Sequence, residues 1–130
     1  MNFLDSYLRT LHEAEKAEIK NAKGPVFLYH GTRNTVEEIK RRGLTIKDNG
    51  TAEIRTGGKK AIWFTSSLKY AQQYTRKTHI FSDKIGIVLK CKLDKKYLKF
   101  IGRPLNLFDE YGYFKDIHPK DIEIVWKSKR

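Results

Sequence analysis

Apolar and polar positions change period several times along the chain, and each change marks an element. Over residues 2–20, Phe3, Leu4, Tyr7, Leu8, Leu11, Ala14 and Ile19 fall largely on one side of a helix, with Asp5, Arg9, Glu13, Lys16 and Lys20 mostly elsewhere. Lys23-Gly24-Pro25 ends it, because glycine suits a helix stop and proline cannot continue the hydrogen-bond ladder. The apolar run from Pro25 to Leu28 then reads as a short buried strand, with Tyr29-His30-Gly31-Thr32 at its end and a turn at Arg33-Asn34-Thr35. Asn34 or Thr35 can cap the next helix, whose apolar positions are Val36, Ile39 and Leu44. Glu37 and Glu38 suit its start, Arg41 and Arg42 its end, and Gly43 its stop.

From Thr45 to Lys60 the pattern turns polar, with Gly50, Gly57 and Gly58 interleaved with Lys47, Arg55, Lys59 and Lys60. A long loop without structure of its own is expected there, either a lid facing an anion or a solvated loop. Ala61 to Thr65 has the β-branched and aromatic content of a strand. Ser66 or Ser67 can cap a helix over Ser67 to Thr75, on which Ala71 and Tyr74 lie three apart and share a face. A loop through Arg76-Lys77-Thr78-His79 leads to the longest strand signal, Ile85 to Leu89 with Cys91 and Leu93. Tyr97 to Ile101 predicts a short strand, Arg103-Pro104 a break, Glu110 to Phe114 an aromatic-rich strand, His118 to Asp121 a turn, and Ile122 to Trp126 a last strand. Neither an internal repeat nor a low-complexity segment interrupts this order.

A length of 130 residues fits a single domain with a real core, and 39% apolar residues exclude a disordered composition. The single Cys91 rules out an internal disulfide, and no Cys/His cluster has metal-site spacing, so no metal is expected and a reducing compartment is. The chain has neither a basic, then apolar leader pattern nor an apolar run long enough to span a bilayer; a soluble, intracellular, cytoplasmic protein is expected. Lys and Arg outnumber Asp and Glu by 27 to 15, a formal charge of +12. Such a field favours an acidic partner, nucleic acid or a dinucleotide among them, although solubility alone also accounts for a lysine-rich surface.

The candidate chemistry gathers around Leu28-Tyr29-His30-Gly31-Thr32. A strand end fixes a reacting group's backbone while leaving it open to a cleft, and Gly31, lacking Cβ, lets a ligand approach the main chain. Read singly, His30 is equally a hydrogen-bonded core histidine, Trp63 and Tyr74 ordinary core aromatics, and Glu110 a solvated charge at a strand edge. Their order is more specific than any one of them. A strand ending in His-Gly-Thr is followed by a helix ending at Gly43-Leu44 and a Gly/Lys loop. A strand with Trp63-Phe64, a helix with Ala71 and Tyr74, and a late strand starting at Glu110 complete the series, and Trp63 and Tyr74 stand eleven apart.

This order, over roughly residues 25 to 126, resembles the ADP-ribosyltransferase fold in its His-Tyr-Glu branch, which includes the poly(ADP-ribose) polymerases and diphtheria toxin. The resemblance implies an α+β domain over 1–130, with an N-terminal helix at 1–22 and a catalytic core at 25–126. Two small packed antiparallel sheets would enclose an NAD cleft flanked by helices. It implies His30 on the NAD ribose, the Gly31 backbone and Thr32 beside the nicotinamide amide, Trp63-Phe64 supporting the ring, Tyr74 stacked on it, and Glu110 as the catalytic carboxylate. Trp63 stands where the family usually has Tyr, Ala71 where it has a small Ser, and Asp109 is a rival to Glu110. The residue types suit the chemistry, since breaking the nicotinamide glycosidic bond develops positive charge on the ribose that a nearby carboxylate stabilises.

The activity so implied is NAD-dependent transfer of ADP-ribose to a nucleic acid or to a protein that binds it. Two alternatives share the signals. An RNA 2′-phosphotransferase that uses NAD resembles the same fold and also carries a His-Gly-Thr strand and a basic surface, but relies on a basic cluster to grip an RNA phosphate. A non-catalytic nucleic-acid-binding module would make the charge the function and Glu110 incidental.

Overall fold

The computed structural model describes residues 23–77, 85–102 and 108–128. The helix expected over residues 2–20, the loop at Thr78-His79 and the break at Arg103-Pro104 lie outside them. Strand β1 (Val26–Thr32) is followed by helix α1 (Val36–Arg42), a short helix α2 (Ile46–Asn49), strand β2 (Thr51–Ala52), strand β3 (Lys60–Phe64) and helix α3 (Leu68–Lys77). Strands β4 (Ile87–Leu93), β5 (Leu98–Gly102), β6 (Glu110–Tyr113) and β7 (Ile122–Lys127) complete the order. The result is an α+β arrangement of two antiparallel sheets, one in the order β1-β4-β7 and one in the order β2-β3-β6-β5.

Period-two patterning explains why the first sheet sits where it does. In β4, Ile87, Leu89, Cys91 and Leu93 are fully buried, while Lys90 and Lys92 between them face outward. β1 pairs with it from Val26↔Leu93 to Thr32↔Ile87, which puts Leu28 and His30 on the inner face and leaves Phe27 on the outer one. The second sheet contributes Ile62, Phe64, Tyr111 and Tyr113 to the same core. Each fully buried Leu or Ile there stabilises the fold by about 1.5–3 kcal/mol relative to exposure.

Helix α1 forms as its composition predicts. Of the two candidate caps it is Thr35 whose side chain accepts from the Glu38 N–H, at 3.2 Å. Gly43 stops the helix at φ 72°, and a Cβ there would lie 2.0 Å from the Ile117 carbonyl oxygen. That closeness allows Leu44 and Ile117 to exchange backbone hydrogen bonds of 3.0 and 2.7 Å, tying the helix exit to the chain before β7.

Three expectations need correction. Residues 45–60 are not a structureless loop. Thr45 caps α2 by accepting from Asp48 N–H, the Asp116 carboxylate accepts from Ile46 N–H at 2.7 Å, and a 3-10 turn at Ile54–Thr56 follows β2. Arg76 and Lys77 form the last turn of α3 and are not loop, and Ser67 is the serine that caps that helix, accepting from Tyr70 N–H at 3.1 Å. His30 is not at the end of β1, because the strand runs two residues further, paired with β4 through Thr32.

Candidate active site where the two sheets part

What places His30 at an opening is the other edge of β1. Tyr29 and Thr65 exchange backbone hydrogen bonds of 2.8 and 3.0 Å, the single bridge that joins the two sheets among the described residues. Beyond it β1 and β3 separate. The next ladder bond is replaced by a side chain, since His30 Nδ1 lies 2.7 Å from the Trp63 carbonyl oxygen. A carbonyl can only accept, so Nδ1 carries the proton and Nε2 remains an acceptor. Burial pushes the imidazole pKa down, offset in part by the bond to Trp63, and holds the ring neutral. The Phe64 ring lies 5.5 Å from it, so Phe64 is a core residue that supports the histidine.

The cleft left by the parting strands has a volume of about 180 Å³ and is lined by His30, Gly31, Trp63, Phe64, Tyr74 and Glu110 together. Thr32 does not line it; its hydroxyl accepts from Asn34 N–H at 3.1 Å in the turn that follows. Gly31 has a different reason to be glycine than the one expected. A Cβ there would stand 2.3 Å from the Ala71 carbonyl oxygen, so the absent side chain makes room for helix α3. That close packing brings Tyr70 and Tyr74, one turn apart on the helix, to the cleft wall. Ala71 itself is buried against β1, where a larger side chain would push the helix away.

At the start of β6 two neighbouring carboxylates part company. Asp109 is buried and accepts from Ser66 Oγ at 2.8 Å, Ser66 N–H at 3.2 Å and Thr65 Oγ1 at 3.2 Å, stapling the entry of β6 to the exit of β3. Glu110 faces the cleft. Its Oε1 accepts from the Tyr70 hydroxyl at 2.9 Å and its Oε2 from Arg55 Nη2 at 2.7 Å. Arg55 also pairs with Glu53, and its guanidinium lies 5.5 Å from the centroid of the Trp63 ring, whose Nε1–H donates to the Thr51 carbonyl at 3.3 Å.

Glu53 and Tyr70 were not singled out as site residues by sequence reasoning, and Arg55 was read only as one cation of a loop that either faces an anion or is solvated. Tyr70 had a signal, because it stands four residues before Tyr74 and so shares its helix face. Arg55 had none, because its inward turn depends on a 3-10 turn that polar composition does not reveal. Desolvation, then the bond to Glu110, push the Tyr70 hydroxyl up to about 12, so it stays a donor at ordinary pH. Among the described residues no group of three or more His, Cys, Asp or Glu could hold a metal ion, and no helix is long and apolar enough to cross a membrane. Cys91 is buried in β4, where desolvation raises its thiol pKa and leaves it unreactive. Neither a protein-family model nor a curated protein matches the chain.

Proposed function

We propose that the protein is an NAD-dependent ADP-ribosyltransferase of the His-Tyr-Glu type, with Glu110 as its catalytic carboxylate. The observation that carries this reading is the Glu110 side chain, held by two donors in a cleft shared with neutral His30 and the rings of Trp63 and Tyr74. In the reaction the bond from ribose C1′ to the nicotinamide nitrogen breaks and its electron pair leaves with the ring. Positive charge grows on the sugar, and the acceptor's nucleophile bonds to C1′ as it gives up its proton. A carboxylate beside that carbon stabilises the charge. Histidine with Nε2 unprotonated is suited to accept a ribose hydroxyl, and flat aromatics suit the leaving ring.

Charge favours the same assignment. Glu53 and Glu110 against the single Arg55 leave the described lining at a net −1, within a chain of +12. A cationic ring and an oxocarbenium-like sugar are welcome in such a cleft, whereas the phosphotransferase alternative needs free cations to grip an RNA phosphate. Arg55, the one cation in the described lining, is engaged by two carboxylates. The ADP-ribose acceptor on this reading is a nucleic acid or a protein that binds one.

The test is incubation with NAD labelled in the adenylate part and separate pools of RNA, DNA and lysate protein. Nicotinamide release with label retained by one pool is expected; no release above that of Glu110→Gln would refute the assignment.

A further inference from the structure

Resting on that reading, we infer that Tyr70 is a positioning residue that fixes the Glu110 carboxylate for reaction and leaves Oε2 as its working oxygen. The two donors on Glu110 are held very differently. Tyr70 sits in the ten-residue helix α3, and its ring stacks on Phe108 at 4.8 Å between centroids and 14° between planes. Phe108 lies two residues before Glu110, so the stack ties the donor to the strand entry that carries the acceptor. The phenol that donates to Oε1 is also neutral, so a cationic substrate has no like charge there to repel.

Arg55 has the opposite character. It sits in a three-residue turn between the almost fully exposed Ile54 and a glycine pair with positive φ, and it divides its donors between Glu53 and Glu110. As a flat cation over Trp63 and against Oε2, it makes the contacts that a positively charged sugar and ring would make. A substrate that brings its own cation competes with Arg55 for Oε2 but leaves Tyr70 on Oε1. The carboxylate therefore pivots about a fixed oxygen and keeps its orientation.

The experiment measures steady-state nicotinamide release by the full chain, with Tyr70→Phe made in the parent and in Glu110→Gln. Tyr70→Phe keeps the stack on Phe108 and removes only the donor. It should lower kcat by on the order of tenfold to a hundredfold, the worth of a hydrogen bond to a charged group, with the KM for NAD within about twofold. Because Tyr70 acts through Glu110, the same change in Glu110→Gln should cost far less than it does in the parent. Phe108→Leu should give a smaller loss of kcat, in the same direction.

A Tyr70→Phe protein with parental kcat overturns the inference, as does a loss that adds in full to that of Glu110→Gln; both leave the transferase reading standing. A parent that releases no more nicotinamide than Glu110→Gln overturns the transferase reading and this inference with it.

Discussion

Two adjacent carboxylates with opposite jobs make the sharpest test of the site. Asp109 is only 4% exposed and accepts three hydrogen bonds from Thr65 and Ser66. Replacing it with Ala leaves the buried Thr65 hydroxyl and the Ser66 N–H without that acceptor, while the Ser66 hydroxyl, on an exposed residue, can turn to water. Counting the first two as bonds to a charged group, at about 1.5–3 kcal/mol each, gives a loss of about 3–6 kcal/mol. For 130 residues an unfolding entropy of about 2.1 cal/mol/K per residue converts this to a fall in Tm of roughly 11–22 °C. Below its melting point Asp109→Ala should release nicotinamide at near-parental kcat. Glu110→Gln should do the reverse. Its partner Arg55 is a partly exposed cation that keeps Glu53, so stability should change little, and kcat should fall by on the order of a hundredfold with NAD affinity intact. Thermal melts and turnover at saturating NAD decide the matter. A stable but inactive Asp109→Ala beside an active Glu110→Gln would mean that the reacting carboxylate is Asp109 and that the reasoning from orientation fails.

His30→Ala should weaken NAD binding itself, read from quenching of Trp63 fluorescence; unchanged affinity would return His30 to a purely structural role. The depressed pKa of His30 also has a sign in stability. Above the ordinary 6.5 both folded and unfolded states are neutral, and as pH falls below it the unfolded state takes up the proton first, so stability is lost from about 6.5 downward to the lowered folded value. His30→Gln should remove part of that acid-side loss in melts between pH 7.5 and 5.5, and an identical slope in both proteins would contradict the burial argument. Gly31→Ala places a methyl 2.3 Å from the Ala71 carbonyl and forces α3 outward, so it should cost about 1–3 kcal/mol in denaturant unfolding and move Tyr70 and Tyr74 off the cleft. A polynucleotide acceptor predicts binding that falls linearly on a log–log plot against salt, measured by fluorescence anisotropy of labelled RNA and DNA; a flat plot favours a protein acceptor.

Much of the fold was legible because it rests on local pattern. The alternation in Ile87–Leu93, the Thr35 cap, the Gly43 stop and the aromatic content of β3 and β6 each specify their element without help from distant residues. Errors came where tertiary contacts decide. The extension of β1 through Thr32 depends on β4 as a partner some sixty residues away, and α2 depends on the remote Asp116 carboxylate as well as on its own Thr45. That Thr45-Ile46-Lys47-Asp48 has capping-box spacing was a signal in the sequence, hidden by the polar character of its surroundings.

The site divides along the same line. Residues that the sequence placed by order, His30, Trp63, Tyr74 and Glu110, line one cleft, while Thr32, assigned by adjacency, does not. Adjacency is a poor guide where the local turn claims a side chain: the Thr32 hydroxyl accepts from Asn34 N–H in the turn after β1, and Asp109, just before β6, is taken up by Thr65 and Ser66.

Charge was the least legible property, since a count does not say where charges point. Arg55, read as part of a basic loop, pairs with Glu53 and Glu110 at the cleft while staying partly exposed, and Lys47, Lys59 and Lys60 from the same stretch are exposed as well. The larger depression beside β4 and the β6–β7 connection brings Lys92, Lys95, Lys115 and Lys120 together with Asp94, Asp116 and Asp121, so its charges nearly cancel. Neither described cavity holds the excess of positive charge, and a net +12 on a chain of this size acts as a long-range field. For a dinucleotide with an anionic pyrophosphate and a cationic nicotinamide ring, a positive exterior around a negative cleft sorts the two ends. On the proposed reading that field would hold the phosphates near the mouth and leave the sugar carbon beside Glu110, whose charge would act mainly on the transition state.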